Sequence, residues 1–277
     1  MTARAILFPT DFSGRCDRAR DRAVRLAQRW DARLILLHVR LTPSDNGAGD
    51  ESLEQARLET RLREEVGEGS IDVEVRIASG DVADAIVQAA SEVAADLIVT
   101  GLSQRDELGD FLVGTTVERV VRHASSPILV VKHQPRADYE QIMVATDFSD
   151  CAQAALETAG ALFSNARFTL VHAYKVSLEG LRGKEEPAAI RQVEIATELG
   201  EFLQRINVPA GVRERLEINV DYGDICAVVR DHVQSSGADL AVLGTHGRSG
   251  IVGTLIGSTA RTLLACLDCD ILLVRRA

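Results

Sequence analysis

The segment GTHGRSGIVGTLIGSTAR, residues 244–261, holds the residue types best suited to binding chemistry in this chain. Gly244, Gly247, Gly250 and Gly253 can adopt conformations closed to residues with a Cβ, and they leave backbone N–H groups open to a ligand. Gly257, Ser258 and Thr259 then begin a predicted helix, whose first N–H groups lack internal partners and point at whatever precedes them. An anion fits that pattern. The segment is not a Walker A sequence, since it lacks the lysine and the spacing, nor the dinucleotide fingerprint with its tightly spaced glycines. Positive charge would come from the helix end and from Arg248 or Arg261. Taken alone, the loop serves as well as a flexible connector as it does as a phosphate cradle.

Other chemistry-bearing residues have plainer readings beside the functional one. Asp11 and Asp147 each sit in a TDFS segment, and an Asp at that point is either a ligand contact or a helix N-cap. The glycine loop downstream favours the ligand role for Asp147, and Asp11 is read as the cap. His38 and His172 stand at equivalent strand ends without a recognisable nucleophile or carboxylate partner, and are read as hydrogen-bonded structural histidines. His246 is too isolated to act as a base. Cys266-x2-Cys269 has metal-like spacing, but no second pair follows, and buried or half-buried thiols are expected. No carboxylate pair forms an acid/base motif, so no catalytic residue and no metal ligand is assigned. The run RDRAVRLAQRWDAR reads as a solvated helix face.

The elements that must position these residues occur twice. Thr10-Asp11-Phe12-Ser13 aligns with Thr146-Asp147-Phe148-Ser149, and Gly80-Asp81, Gly101 and Gly114 align with Gly223-Asp224, Gly244 and Gly257 at an offset of 143. The repeat is too long for a solenoid and marks domain duplication, with domains expected at 1–135 and 138–277 about a polar junction near residues 133–141. In the second copy IMVAT, FTLVHA, LEINVDY, DLAVLG and ILLVRR read as strands. CAQAALETAGALF, AAIRQVEIATELGEFLQRI and ICAVVRDHVQSSG space apolar residues at three and four, as helices lying on a sheet do. Apolar strands alternating with helices predict an α/β fold of two tandem, doubly wound, open parallel five-stranded sheets. Ligands of such folds sit beyond the carboxyl ends of the strands, where TDFS, VHAY and GTHGRSG all fall.

Composition narrows the function classes. The chain has 277 residues, 46% hydrophobic and only 4% aromatic, the make-up of an aliphatic globular core. A net charge of −10, from 31 basic and 41 acidic residues, opposes nucleic-acid binding. No apolar run approaches the ~20 residues of a membrane span. The five irregularly spaced cysteines and an amino terminus without a signal-peptide core lead to an expected cytoplasmic location with reduced thiols.

The spacing Gly244-x2-Gly247-x9-Gly257-Ser258 resembles the G-x2-G-x9-G-(S/T) nucleotide motif of the universal stress proteins. The likeness extends through both copies: TDFS, LLHV or LVHA, ADLIVTG or ADLAVLG, and the closing SSPILVVK or LDCDILLVRR. It implies two Rossmann-like domains of the adenine nucleotide alpha hydrolase-like type, packed through their last strands as an internal pseudo-dimer. It further implies ATP as ligand, with Mg2+ on the phosphates, Asp147 and Ala173 at the adenine end, and Gly244, Gly247, Gly257, Ser258 and Thr259 at the ribose and phosphates. His246, Arg248 and Ser249 join as neighbours by position. A homodimer of tandem chains and an unidentified protein partner complete the picture, with a regulatory stress-response role as the leading function. A slow ATPase or autophosphorylating protein, with Ser258 or Thr259 as acceptor, and a ligand-free scaffold are the alternatives.

The two copies differ where it matters. Gln104 stands where the second copy has Gly247. Arg105 against Asp106, Glu107 and Asp110 leaves residues 101–116 at −2, whereas Arg248 alone leaves residues 244–259 at +1. A side chain and repulsion both oppose a triphosphate in the first copy, so ATP is expected in the second.

Overall fold

The computed structural model describes residues 4–41, 48–67, 71–101, 104–105, 111–112, 115–174, 188–247 and 256–276. The first half runs β1 (Ala5–Pro9), α1 (Asp17–Trp30), β2 (Arg33–Arg40), α2 (Ala48–Val66), β3 (Val73–Ser79), α3 (Val82–Glu92) and β4 (Leu97–Gly101). The short β5 (Gln104–Arg105) and β6 (Phe111–Leu112), then α4 (Thr115–His123) and β7 (Ile128–Val131), complete it. The second half runs β8 (Gln141–Ala145), α5 (Asp150–Leu162), β9 (Arg167–Tyr174), α6 (Ala188–Arg205), α7 (Ala210–Glu214), β10 (Leu216–Tyr222), α8 (Ile225–Ser236), β11 (Leu240–Gly244), α9 (Ser258–Cys266) and β12 (Asp270–Val274).

The two expected five-stranded sheets are one ten-stranded sheet, ordered β10-β9-β8-β11-β12-β7-β4-β1-β2-β3. Within that sheet each half is parallel throughout, and the halves join through their last strands in antiparallel register, Ile271 opposite Val130 and Leu273 opposite Ile128. Central strands such as Ile128–Val131 and Leu240–Leu243 are buried on both faces because helices cover both. One core packs Ile6, Phe8, Phe168 and Leu170 under α1, α5 and α6; the other packs Leu7, Val130, Leu243 and Ile271 under α3, α4, α8 and α9. The edge strands β3 and β10 are only half-buried, where the expectation was strands apolar on both faces. Among the described residues no helix is long and apolar enough to cross a membrane.

The seam between halves is held by buried polar groups as well as by strand pairing. Lys132, directly after β7, is 1% exposed, and its Nζ donates to the carbonyls of Leu264 and Leu267 at the end of α9, 2.7 Å each. In the opposite direction Arg275, just past β12, donates to the Arg122 carbonyl in α4. Each half thus caps the other's last helix with a cation, where the helix dipole favours one. Buried Asp270 accepts from the Lys132 N–H at 2.7 Å and from the Tyr139 hydroxyl at 2.5 Å. Arg22 corrects the reading of its run as a solvated face: it is 5% exposed. Its guanidinium donates to Ala137 O, lies 4.0 Å over the Tyr139 ring and stands 3.5 Å from Asp270. The junction is therefore docked, with Tyr139 buried in it.

Candidate functional site

In the second half β8 lies between β9 and β11, so the chain crosses to opposite sides of β8 and opens a crevice at its carboxyl end. Asp147, two residues past β8, and Gly247, three past β11, meet there. A Cβ built on Gly247 would lie 2.6 Å from Asp147 Oδ2, closer than any side chain could remain without moving the carboxylate. Residues 100 apart in sequence thus share van der Waals contact at the switch point.

The approach to that contact is strongly determined. Phe148 has φ +61°, a left-handed conformation costly for a bulky residue, about 1–3 kcal/mol. Its N–H donates to Thr146 Oγ1 at 2.9 Å, its ring stacks on His172 with centroids 4.3 Å apart, and Arg205 donates to its carbonyl. His172 Nδ1 in turn donates to Thr146 O at 2.8 Å. The histidine is hydrogen-bonded, as expected. Asp147 Oδ1 accepts from the Ser149 N–H at 3.1 Å, and Ser149, not Asp147, caps α5 by accepting from the Ala152 N–H.

On the other wall, the Thr245 N–H donates to Val274 O and the Gly257 N–H donates to Thr245 O, pinning both ends of the glycine loop. α9 starts at Ser258 with Gly257 as its N-cap, a residue with no side chain to cap the first turn; Ser258 and Thr259 are exposed. His246 Nδ1 lies 3.0 Å from Thr245 Oγ1, and its buried Nε2 has no partner among the described residues. Ala173 stands near the end of β9, beyond Val171 where pairing with β8 stops, while pairing with β10 continues to Tyr174. From there on β9 is paired on one side only. Asp147, Ala173, Gly244, His246, Gly247, Gly257, Ser258 and Thr259 all belong to the carboxyl edge. Arg248 and Ser249, with Gly250 and Gly253, lie outside the described residues.

The universal stress protein family model matches the chain twice, over residues 2–132 and 138–275. The chain belongs to this family. A universal stress protein of Mycobacterium tuberculosis is 29% identical over 195 residues, covering 66% of this chain and 63% of that protein's length. Universal stress protein E of Escherichia coli is 25% identical over 218 residues, covering 69% of this chain and 64% of its own length. The chain thus aligns with less than two thirds of the length of these curated relatives. A universal stress protein from Archaeoglobus fulgidus superposes over 100% of both chains with a TM-score of 0.74 at 17% identity, a likeness of fold.

Within these two universal stress protein domains some sequence readings need correction. Gly244, Gly247 and Gly257 do not use positive φ. They are glycines because neighbours approach closely: a Cβ at Gly244 would stand 3.0 Å from the Cys151 backbone, and one at Gly101 would stand 2.9 Å from Arg15 O. Asp11 does not cap α1, whose N-cap is Cys16 without a side-chain bond. Asp11 closes a turn instead, accepting from the Ser13 N–H and Cys16 Sγ. Burial works to raise its pKa, but hydrogen bonding from the Ser13 side chain, the Ser13 N–H and Cys16 outweighs it and holds the carboxyl below its ordinary value. Arg261 pairs through Nε with Glu118 of α4 at 3.2 Å. The expectation of reduced thiols fails at Cys226 and Cys266, which form a disulfide; Cys269 is a buried thiol, pushed up to about 12 chiefly by burial.

Sequence reasoning missed Thr245 as the anchor of the loop and Phe148 as the strained turn that aims Asp147. The second had a signal, because TDF recurs in both copies: Phe12 has φ +62°, with the same Thr10 Oγ1 and His38 contacts. In the first half Gln104 belongs to β5, which pairs antiparallel with β6, so the backbone of that loop is engaged with itself.

Proposed function

We propose that the chain binds ATP at the carboxyl edge of its second domain and serves as a nucleotide-responsive regulatory protein of the stress response. The observation that carries this is the contact of Asp147 with Gly247. It shapes a cradle that any Cβ at position 247 would fill, between the one-sided end of β9 and the glycine-capped start of α9. Bare amides at a helix start favour phosphate, and the strand end at Ala173 offers main-chain groups to a base. His246 Nε2, buried and without a described partner, adds a polar atom beside the loop. The residues present fit an adenine nucleotide, which would supply the anionic tail and flat base that these groups hold. Any Mg2+ would ride chiefly on the phosphates.

The first domain is proposed as a structural half. Gln104 carries a side chain where the cradle needs none, and the β5–β6 pairing consumes main-chain groups that a phosphate would use. Self-association of whole chains would need a surface other than the last strands, which already pair internally.

Mass spectrometry of gently purified, then denatured, protein tests the reading by identifying released nucleotide. ATP or ADP is expected from the parent chain and none from Gly247→Val. Nucleotide that survives Gly247→Val and disappears in Gly114→Val would reverse the assignment of domains.

A further inference from the structure

The two halves fasten the same pair of helices by different chemistry. In the first, Arg119 of α4 reaches the start of α3, with Nη1 2.6 Å from Asp81 Oδ2 and Nη2 3.1 Å from Asp84 Oδ1. At the 143-residue offset, Arg119 becomes Thr262 and Asp84 becomes Ala227, so the Arg119 clasp has no counterpart between those positions. There Cys226, in the first turn of α8, and Cys266, the last residue of α9, are joined as a disulfide with Cα atoms 6.8 Å apart. Their first-half counterparts are Ala83 and His123. The half with the intact glycine loop has exchanged a redox-indifferent contact for one that a thiol can open.

The pair is also chemically well defined. Both cysteines are half-buried, within reach of a small dithiol. Cys269, three residues on, is 2% exposed, and its raised pKa keeps it a thiol, so it does not compete for the bridge. α9 is held at its start by the Gly257–Thr245 bond, in its first turn by Arg261–Glu118, and at its end by Lys132 and the disulfide. Reduction removes the one covalent restraint.

We propose that Cys226–Cys266 is a reversible thiol–disulfide site that sets how tightly the second domain grips nucleotide through α9, an inference that rests on the nucleotide reading above. A dithiol attacks one of the two sulfurs as its thiolate, breaking the bridge and forming a mixed disulfide with that cysteine. The second thiol of the reductant then displaces the cysteine. Two electrons and two protons pass to the protein, leaving two thiols, and the reductant leaves as its own disulfide. With the bridge intact, the first-turn amides of α9 are preorganised for phosphate; with it open, binding must also order the helix.

The test uses the full chain, oxidised or treated with dithiothreitol. Peptide mapping should find a cross-linked 226–266 pair in the first state and two alkylated cysteines in the second. ATP titration should give a Kd at least about five-fold weaker after reduction, the low end of ordinary coupling between sites. Hydrogen exchange across residues 258–266, measured without nucleotide, should quicken. The double variant Cys226→Ser/Cys266→Ser should bind ATP as the reduced chain does and ignore dithiothreitol. Failure of the cross-link to form under oxidant, or equal ATP affinity in both states, overturns the proposal. If ATP binds neither state while exchange in α9 still rises on reduction, the nucleotide reading falls and redox control of α9 stands.

Discussion

Substituting Gly247 and Gly101 by alanine should separate function from stability, because the added methyl meets a different kind of atom at each. At Gly247 the new Cβ would fall 2.6 Å from Asp147 Oδ2, about 0.8 Å inside ordinary contact. That oxygen is the tip of a side chain, so the carboxylate can swing aside at the cost of its bond to the Ser149 N–H, a net loss of about 0.5–1.5 kcal/mol. At Gly101 the methyl would fall 2.9 Å from the main-chain oxygen of Arg15, which cannot move without shifting the start of α1 against β4. Overpacking of that kind costs about 1–3 kcal/mol. Calorimetry should therefore show Gly101→Ala with the larger fall in Tm, at about 2–4 °C per kcal/mol for a chain of this order of size. ATP titration should show the reverse order: a loss of about ten-fold or more for Gly247→Ala, equivalent to ~1.4 kcal/mol, and parental affinity for Gly101→Ala. Unchanged ATP affinity in Gly247→Ala would refute the idea that the Asp147–Gly247 contact shapes the site.

Lys132→Met keeps the buried stem but strands the carbonyls of Leu264 and Leu267, and urea unfolding should show a loss of about 2–4 kcal/mol; a gain in stability would show that the buried charge costs more than its bonds return. The Cys269 thiol, at about 12 when folded against an ordinary 9.0, holds its proton in the folded chain after the unfolded chain has lost it. Its contribution is therefore complete below pH 9 and declines between pH 9 and 12, by up to about 1.4 kcal/mol per pH unit. The fall in urea midpoint from pH 8 to pH 10.5 should be smaller in Cys269→Ala, and equal falls would count against this. Closing 40 residues of chain, the Cys226–Cys266 bridge should stabilise the oxidised protein by about 4 kcal/mol, so dithiothreitol should lower Tm by roughly 10 °C, whereas Arg119→Ala should leave it nearly unchanged.

The strands and helices of the second half were legible because their signals are local. LEINVDY is a strand over the residues expected, and CAQAALETAGALF and ICAVVRDHVQSSG differ from α5 and α8 by no more than a residue at an end. The convergence of Asp147 with the glycine loop was legible through topology, since parallel order forces both to the same sheet edge. What sequence could not supply is the identity of the atom across a gap. Gly244 shows that a Cβ is excluded, but only the packing of α5 names the Cys151 backbone as the cause. Arg22 has the local context of a solvated residue, and its burial depends on Ala137, Tyr139 and Asp270, more than 100 positions away. Cys226 likewise finds Cys266 across the packing of α8 on α9, a pairing no spacing rule encodes.

Duplication within one chain also explains how the two halves could diverge without losing each other. Glu118 and Arg261 occupy equivalent positions, so their ion pair spans the pseudo-twofold axis of the seam. Two copies of the first half joined the same way would set Glu118 against Glu118, and two of the second would set Arg261 against Arg261, each destabilising by like charge. An exposed pair of this kind adds little stability in itself. Its effect is on choice of partner, favouring pairing of unlike halves. Once that pairing is secured, β7 and β12 no longer depend on the glycine loops matching. The first loop is then free to pair with itself as β5–β6, while the second keeps a glycine at position 247 against Asp147.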